Sequence, residues 1–162
     1  MTSPLESLAQ FHQLLDDFEE CLGTLSKQPF VSMTDLTGIS NEPGVYVFYG
    51  HAKEETEKAL YTGRTKQLRS RLQQHLSGIP NKAAFAMCRV RKELGLRRDY
   101  RRRKDRDSKV REIISCELKR QTEIVRKMKV RCLIEPDPVR QALLEIFVAS
   151  RLQCPFNDFG TT

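Results

Sequence analysis

The residue that fits its surroundings least is Glu145, which stands in the run Ala142-Leu143-Leu144-Glu145-Ile146-Phe147-Val148-Ala149. At helical spacing its neighbours are Val148, Ala149 and Leu152, so the carboxylate emerges from an apolar sector. Burying it there costs several kcal/mol unless a cation or hydrogen-bond donors meet it. A divalent metal or an arginine would serve, with Arg140 and Arg151 as the nearest arginines on the same helix. A second anomaly is Arg71 with His75, four residues apart and therefore on one helix face. The planar fork of arginine suits a phosphate. Upstream, Tyr46 and Phe48 share one face of an extended run, and Tyr61 and Gly63 share one face of a second, so both tyrosines can look toward the same helix.

The elements that must position these groups are readable from period. Leu5, Leu8, Phe11, Leu15, Phe18 and Leu22 step by three and four behind Ser3 and Pro4, predicting a helix over about 3–22. Residues 23–43 carry Gly23, Pro29, Gly38 and Pro43 and read as an irregular connection. The β-branched and aromatic runs 44–49 and 59–64 predict an antiparallel hairpin with a long polar loop. Leu68, Leu72 and Leu76 return to helical spacing over 66–77, and Gly78 and Pro80 stop that helix. Helices are predicted over 82–94 and 109–128, with a charged tract between them at 95–108. Val130, Cys132 and Ile134 then alternate as a strand. The last element, 139–152, is apolar almost all round and predicts a helix buried within the core.

Length and charge bound the class. The 162 residues suit a single domain, and no window approaches the ~18 apolar residues of a membrane span. The amino terminus has acids where an export signal needs basic residues, and the five cysteines form no C-x-x-C pair, so a reduced, cytoplasmic protein is expected. The net charge of +7 is uneven: residues 1–43 carry −6, 44–88 carry +4, 89–131 carry +11 and 132–162 carry −2. Arg97, Arg98, Arg101, Arg102, Arg103, Lys104 and Arg106 fall within ten residues beside Tyr100. Such a block suits a polyanion, with counterion release as the driving term, although a solvated charged loop is the plainer reading.

Gly44-Val45-Tyr46, Tyr61-Thr62-Gly63, Arg71 with His75, Glu145, and Asn157 twelve residues further on in Pro155-Phe156-Asn157 together resemble the motif series of the GIY-YIG nuclease superfamily, in family order. The tripeptides depart from the eponymous letters only at the middle, where the family varies. The resemblance implies an α/β (α+β) fold, a small central antiparallel sheet of about three strands flanked by helices. It divides the chain into an amino-terminal helix and connection (1–43), a core (44–77 and 129–158) and a basic, mainly helical insertion (78–128). It also implies a divalent-metal-dependent endonuclease that hydrolyses DNA phosphodiesters.

By that resemblance Glu145 is the ligand of one Mg²⁺ or Mn²⁺, and Arg71 clamps the scissile phosphate. Tyr46, Tyr61 and His75 are the candidates to orient or deprotonate water. Asn157 holds Tyr46, a water or a loop, and Arg64 adds a phosphate contact. A tyrosine with an ordinary pKa near 10 is a poor base unless a cation lowers it. DNA is the expected partner, and no membrane is. A double-strand break would take a homodimer or successive nicks. The alternative from another class is a non-catalytic nucleic-acid-binding module on the same fold, using the basic tract. A third reading, an interaction protein joining a complex through the first helix, predicts no affinity for DNA.

Overall fold

The computed structural model describes residues 4–51, 57–96, 108–157 and 159. Among these, five helices surround a four-stranded antiparallel sheet. In chain order they are α1 (Pro4–Lys27), β1 (Val31–Ser32), β2 (Gly44–His51), β3 (Glu57–Thr65), α2 (Leu68–His75), α3 (Ala84–Glu93), α4 (Ser108–Arg126), β4 (Lys129–Ile134) and α5 (Pro138–Arg151). The strand order is β1-β4-β2-β3, which places β2 at the centre and β3 at an edge.

The period-2 pattern of β2 builds the two halves of the core. Val45, Val47 and Tyr49 point to one face and pack with Phe18 and Leu25 of α1 and with Leu144, Val148 and Ala149 of α5. Tyr46 and Phe48 point to the other face and join Leu68 and Leu72 of α2, Phe85 and Val90 of α3, and Leu118 and Val125 of α4. The register sets Tyr46 opposite Gly63 and Phe48 opposite Tyr61. A bulge between Phe48 and Tyr49 re-phases the pair before it runs on to His51 and Glu57.

The α+β class and the sheet-and-helix layering agree with expectation, while four local features differ. The first helix passes Gly23 and ends at Lys27, because Leu25 is buried and its packing outweighs the helix cost of one glycine. The connection expected at 23–43 contains β1, a two-residue pairing with β4 that periodicity cannot register. Gly50, His51, Glu57 and Lys58, expected in the hairpin loop, are paired strand residues. The last helix is not buried all round: Val139, Leu143 and Ile146 are 66%, 42% and 49% exposed, because the sheet and α1 cover only the face bearing Leu144, Phe147 and Val148.

Candidate active site

Both tripeptides owe their glycines to close approach. A Cβ on Gly44 would come within 2.9 Å of Leu68 Cδ1 and 3.1 Å of the Leu133 carbonyl carbon, so glycine lets β2 lie against β4 and α2. A Cβ on Gly63 would sit 2.5 Å from Tyr46 Cζ and 2.9 Å from Cε2. The Tyr46 ring lies directly over Gly63, and the cross-strand pair works because one partner has no side chain.

Tyr46 is fully buried, and its hydroxyl meets His75 Nε2 at 2.8 Å. His75, also buried, receives the Phe85 N–H at Nδ1 over a long 3.4 Å. Burial pushes the imidazole down to about 3, with the Arg71 charge acting in the same direction, so the ring is neutral. A neutral imidazole has one donor and one acceptor. With Nδ1 accepting, the proton sits on Nε2 and is donated to Tyr46 Oη, which leaves the tyrosine's own proton free to point elsewhere. Burial pushes the Tyr46 phenol up to about 12, and the neighbouring Arg71 cation draws it partly back. Tyr61 stacks on Phe85 with ring centres 4.8 Å apart, lies 6.0 Å from the His75 ring, and is likewise pushed up by burial.

Arg71 reaches this group from α2, donating through Nη1 to Gln74 Oε1 and to the Lys82 carbonyl, each at 3.1 Å. Glu145 enters from α5 on the other side of the sheet. It is close enough for its charge to raise both tyrosines, and desolvation raises its own carboxyl against the pull of Arg64. Its cation is Arg64, whose Nε donates to Oε2 at 3.0 Å. The local alternatives, Arg140 and Arg151, pair instead with Asp17 and Glu135 and with Glu19. The strand arginine wins because it lies across the α5–β3 contact, where a helix neighbour cannot reach. Among the described residues Glu145 belongs to no cluster of three metal-ligating side chains.

Asn157 is attached to the hairpin and not to Tyr46. Its Oδ1 accepts from the Thr62 N–H at 2.7 Å and its Nδ2 donates to the Thr62 carbonyl at 2.8 Å. The side-chain amide thus serves edge strand β3 as a neighbouring strand would. The Phe156 N–H bonds Leu60 O at 3.2 Å, and Cys154 Sγ lies 3.3 Å from Thr62 Oγ1, so the segment after α5 is sewn along the strand that carries Tyr61. Of the supporting residues, Thr62 was named from sequence only as the middle of the second tripeptide, and Phe85 and Gln74 were not singled out, although both fall in helices expected over 82–94 and 66–77. Arg97, Arg98, Arg101, Arg102, Arg103, Lys104 and Arg106 lie outside the described residues.

A hairpin whose two tyrosines face a helix-borne arginine and histidine, inside an antiparallel sheet clad by helices, defines an α+β domain of GIY-YIG type. The GIY-YIG catalytic domain model matches residues 42–127, and the chain belongs to that nuclease-type family. The match takes in Tyr46, Tyr61, Arg71 and His75 and ends before Glu145 and Asn157, which the fold itself brings to the hairpin. No curated protein and no solved structure matches the chain significantly. No helix among the described residues is long and apolar enough to cross a membrane.

Proposed function

We propose that the protein is a divalent-metal-dependent endonuclease that hydrolyses DNA phosphodiester bonds, and that Tyr46, Tyr61, Arg71, His75, Glu145 and Asn157 form its site. The observation that carries this reading is convergence. Residues from β2, β3, α2 and α5, up to about a hundred positions apart, meet at one end of the hairpin: His75 bonds Tyr46 at 2.8 Å, the Tyr46 ring covers Gly63, and Arg64, the next residue on β3, bonds Glu145 at 3.0 Å.

Each side chain has a task its geometry supports. With Nη1 engaged by the protein, Arg71 offers Nε and Nη2 to a phosphate and offsets the charge that builds on it in the transition state. His75 Nε2–H fixes Tyr46 Oη, so the hydroxyl meets an attacking water from a set direction. Tyr46 is protonated at neutral pH and therefore orients that water, becoming a base only when added positive charge lowers its pKa. Asn157 acts on Tyr61 and Gly63 by holding the backbone between them.

The donor set fits a hard cation such as Mg²⁺ or Mn²⁺. Glu145 supplies one half-buried carboxylate whose ionisation burial already opposes, and the remaining ligands would be water and phosphate oxygen. Such an ion would neutralise charge on the phosphate and lower the pKa of a nearby nucleophile or base. Arg64, which pairs with Glu145, would be placed to contact a flanking phosphate if that carboxylate held a cation instead.

DNA, not a small molecule, is the expected substrate. Arg64 is exposed and Arg71 half-buried, so both can be reached by the phosphates of a polymer lying along the surface. The basic tract 97–106 is proposed to bind its backbone. A cytoplasmic setting agrees with five free cysteines. Cutting both strands would take two such sites, in a homodimer or in turn. The test is retention of DNA binding with loss of cleavage in Glu145→Ala and Arg71→Ala. A protein that retards DNA and never cuts it would be the binding module instead.

A further inference from the structure

Arg71 has five N–H donors in one rigid plane, and the fold has already assigned two of them. Nη1 donates to the Gln74 side chain, three residues on along α2, and to the Lys82 carbonyl, in the segment that leads into α3. Those two bonds exhaust Nη1. Lys82 O is itself held in place, because the Lys82 and Ala83 N–H groups both bond Ile79 O, at 2.9 and 2.8 Å, in a turn entered through Gly78 at φ +65°. The α2 backbone holds Gln74, this turn holds Lys82 O, and together they define the plane and rotation of the Arg71 guanidinium.

We infer that Gln74 is a positioning residue, which with the Lys82 carbonyl aims the Nε–Nη2 edge of Arg71 at the phosphate. The inference rests on the nuclease reading and deepens it. A freely rotating arginine can present either of two bidentate edges to a phosphate, Nε–Nη2 or Nη1–Nη2, and one held through Nη1 presents only the first before substrate arrives, so no ordering is needed in the transition state. It also predicts that lysine would be a poor substitute at position 71. One ammonium cannot satisfy Gln74 Oε1, Lys82 O and a phosphate from a single nitrogen in the directions these partners occupy.

The test uses the full-length chain with Gln74→Met, which keeps length and loses the acceptor, and Gln74→Glu, which keeps an acceptor. Both are surface changes compatible with folding. Single-turnover cleavage of saturating supercoiled plasmid with Mg²⁺ gives the rate constant, and fluorescence anisotropy of a labelled duplex in chelator gives Kd. Gln74→Met should cut about tenfold more slowly, the rate equivalent of one hydrogen bond to a charged group, with Kd within about twofold. Gln74→Glu should retain most of the rate constant while binding DNA a few-fold more weakly, because it adds negative charge. Side-chain ¹⁵N NMR supplies a readout independent of cleavage: the Arg71 Nη1 and Nη2 signals should be separate in wild type and merged in Gln74→Met. Equal rates for wild type and Gln74→Met, an equal fall in both variants, or merged Arg71 signals in wild type would overturn the inference. If wild type binds DNA and never cuts it while the Arg71 signals remain separate, the nuclease reading fails and the positioning of Arg71 stands.

Discussion

Replacing Gly63 by alanine tests the most tightly defined contact in the site. The added Cβ would lie 2.5 Å from Tyr46 Cζ, about 1 Å inside the ~3.5 Å at which carbon atoms normally meet. The ring has little room to retreat. It is 1% exposed, with Phe48 and His75 at 5.8 and 5.5 Å between ring centres. A shift of about 1 Å would stretch the 2.8 Å bond to His75 beyond hydrogen-bonding range. Overpacking of this kind costs about 1–3 kcal/mol and the lost bond about 1 more, so Gly63→Ala should lower stability by about 2–4 kcal/mol. Urea denaturation gives the figure from the midpoint at constant slope. Paired with Tyr46→Leu, which removes the obstructing ring, the alanine should cost at least about 1 kcal/mol less than it does alone. A loss below about 0.5 kcal/mol for Gly63→Ala, or strict additivity in the pair, would refute the steric argument.

Two further perturbations follow from the same geometry. His75 is held neutral, its folded pKa near 3 against 6.5 for the free side chain, so the unfolded state binds the extra proton between those values. Stability present above about pH 6.5 should therefore drain away as pH falls toward 3, and the slope should flatten in His75→Gln, as denaturation midpoints across that range would show. Asn157→Ala removes both bonds to Thr62 and leaves a buried edge N–H and C=O without partners. It should cost about 2–3 kcal/mol in urea denaturation, and Asn157→Asp nearly as much, because its carboxylate would face the Thr62 carbonyl.

What was legible in the sequence was what local pattern determines. The alternation of 44–49 set Tyr46 and Phe48 on one face. The four-residue step from Arg71 to His75 set both on one side of α2, and the observed register brings the two sets together. The oddity of Glu145 in an apolar helix was legible too, but its partner was not: Arg64 is 81 positions away on a strand, and wheel geometry proposes only neighbours on the same helix. Asn157 was found by resemblance, and its task was not readable because it depends on β3 being an edge strand with a free N–H and C=O at Thr62. The apolar circumference of α5 suggested full burial. How much of it is covered depends on how far α1 and the sheet reach, a tertiary quantity that leaves Val139, Leu143 and Ile146 in solvent.

The central claim is that Arg71 and Glu145, joined at the hairpin tyrosines, make a site that breaks phosphodiesters. The most direct measurement is supercoiled plasmid incubated with wild type, Arg71→Ala and Glu145→Ala, each with Mg²⁺ or Mn²⁺ and with chelator, alongside retardation of the same DNA. Nicking by wild type only when metal is present, absent in both variants although they still retard the plasmid, is the predicted result. Undiminished nicking by Glu145→Ala, or a wild type that binds and never nicks with either metal, would contradict it.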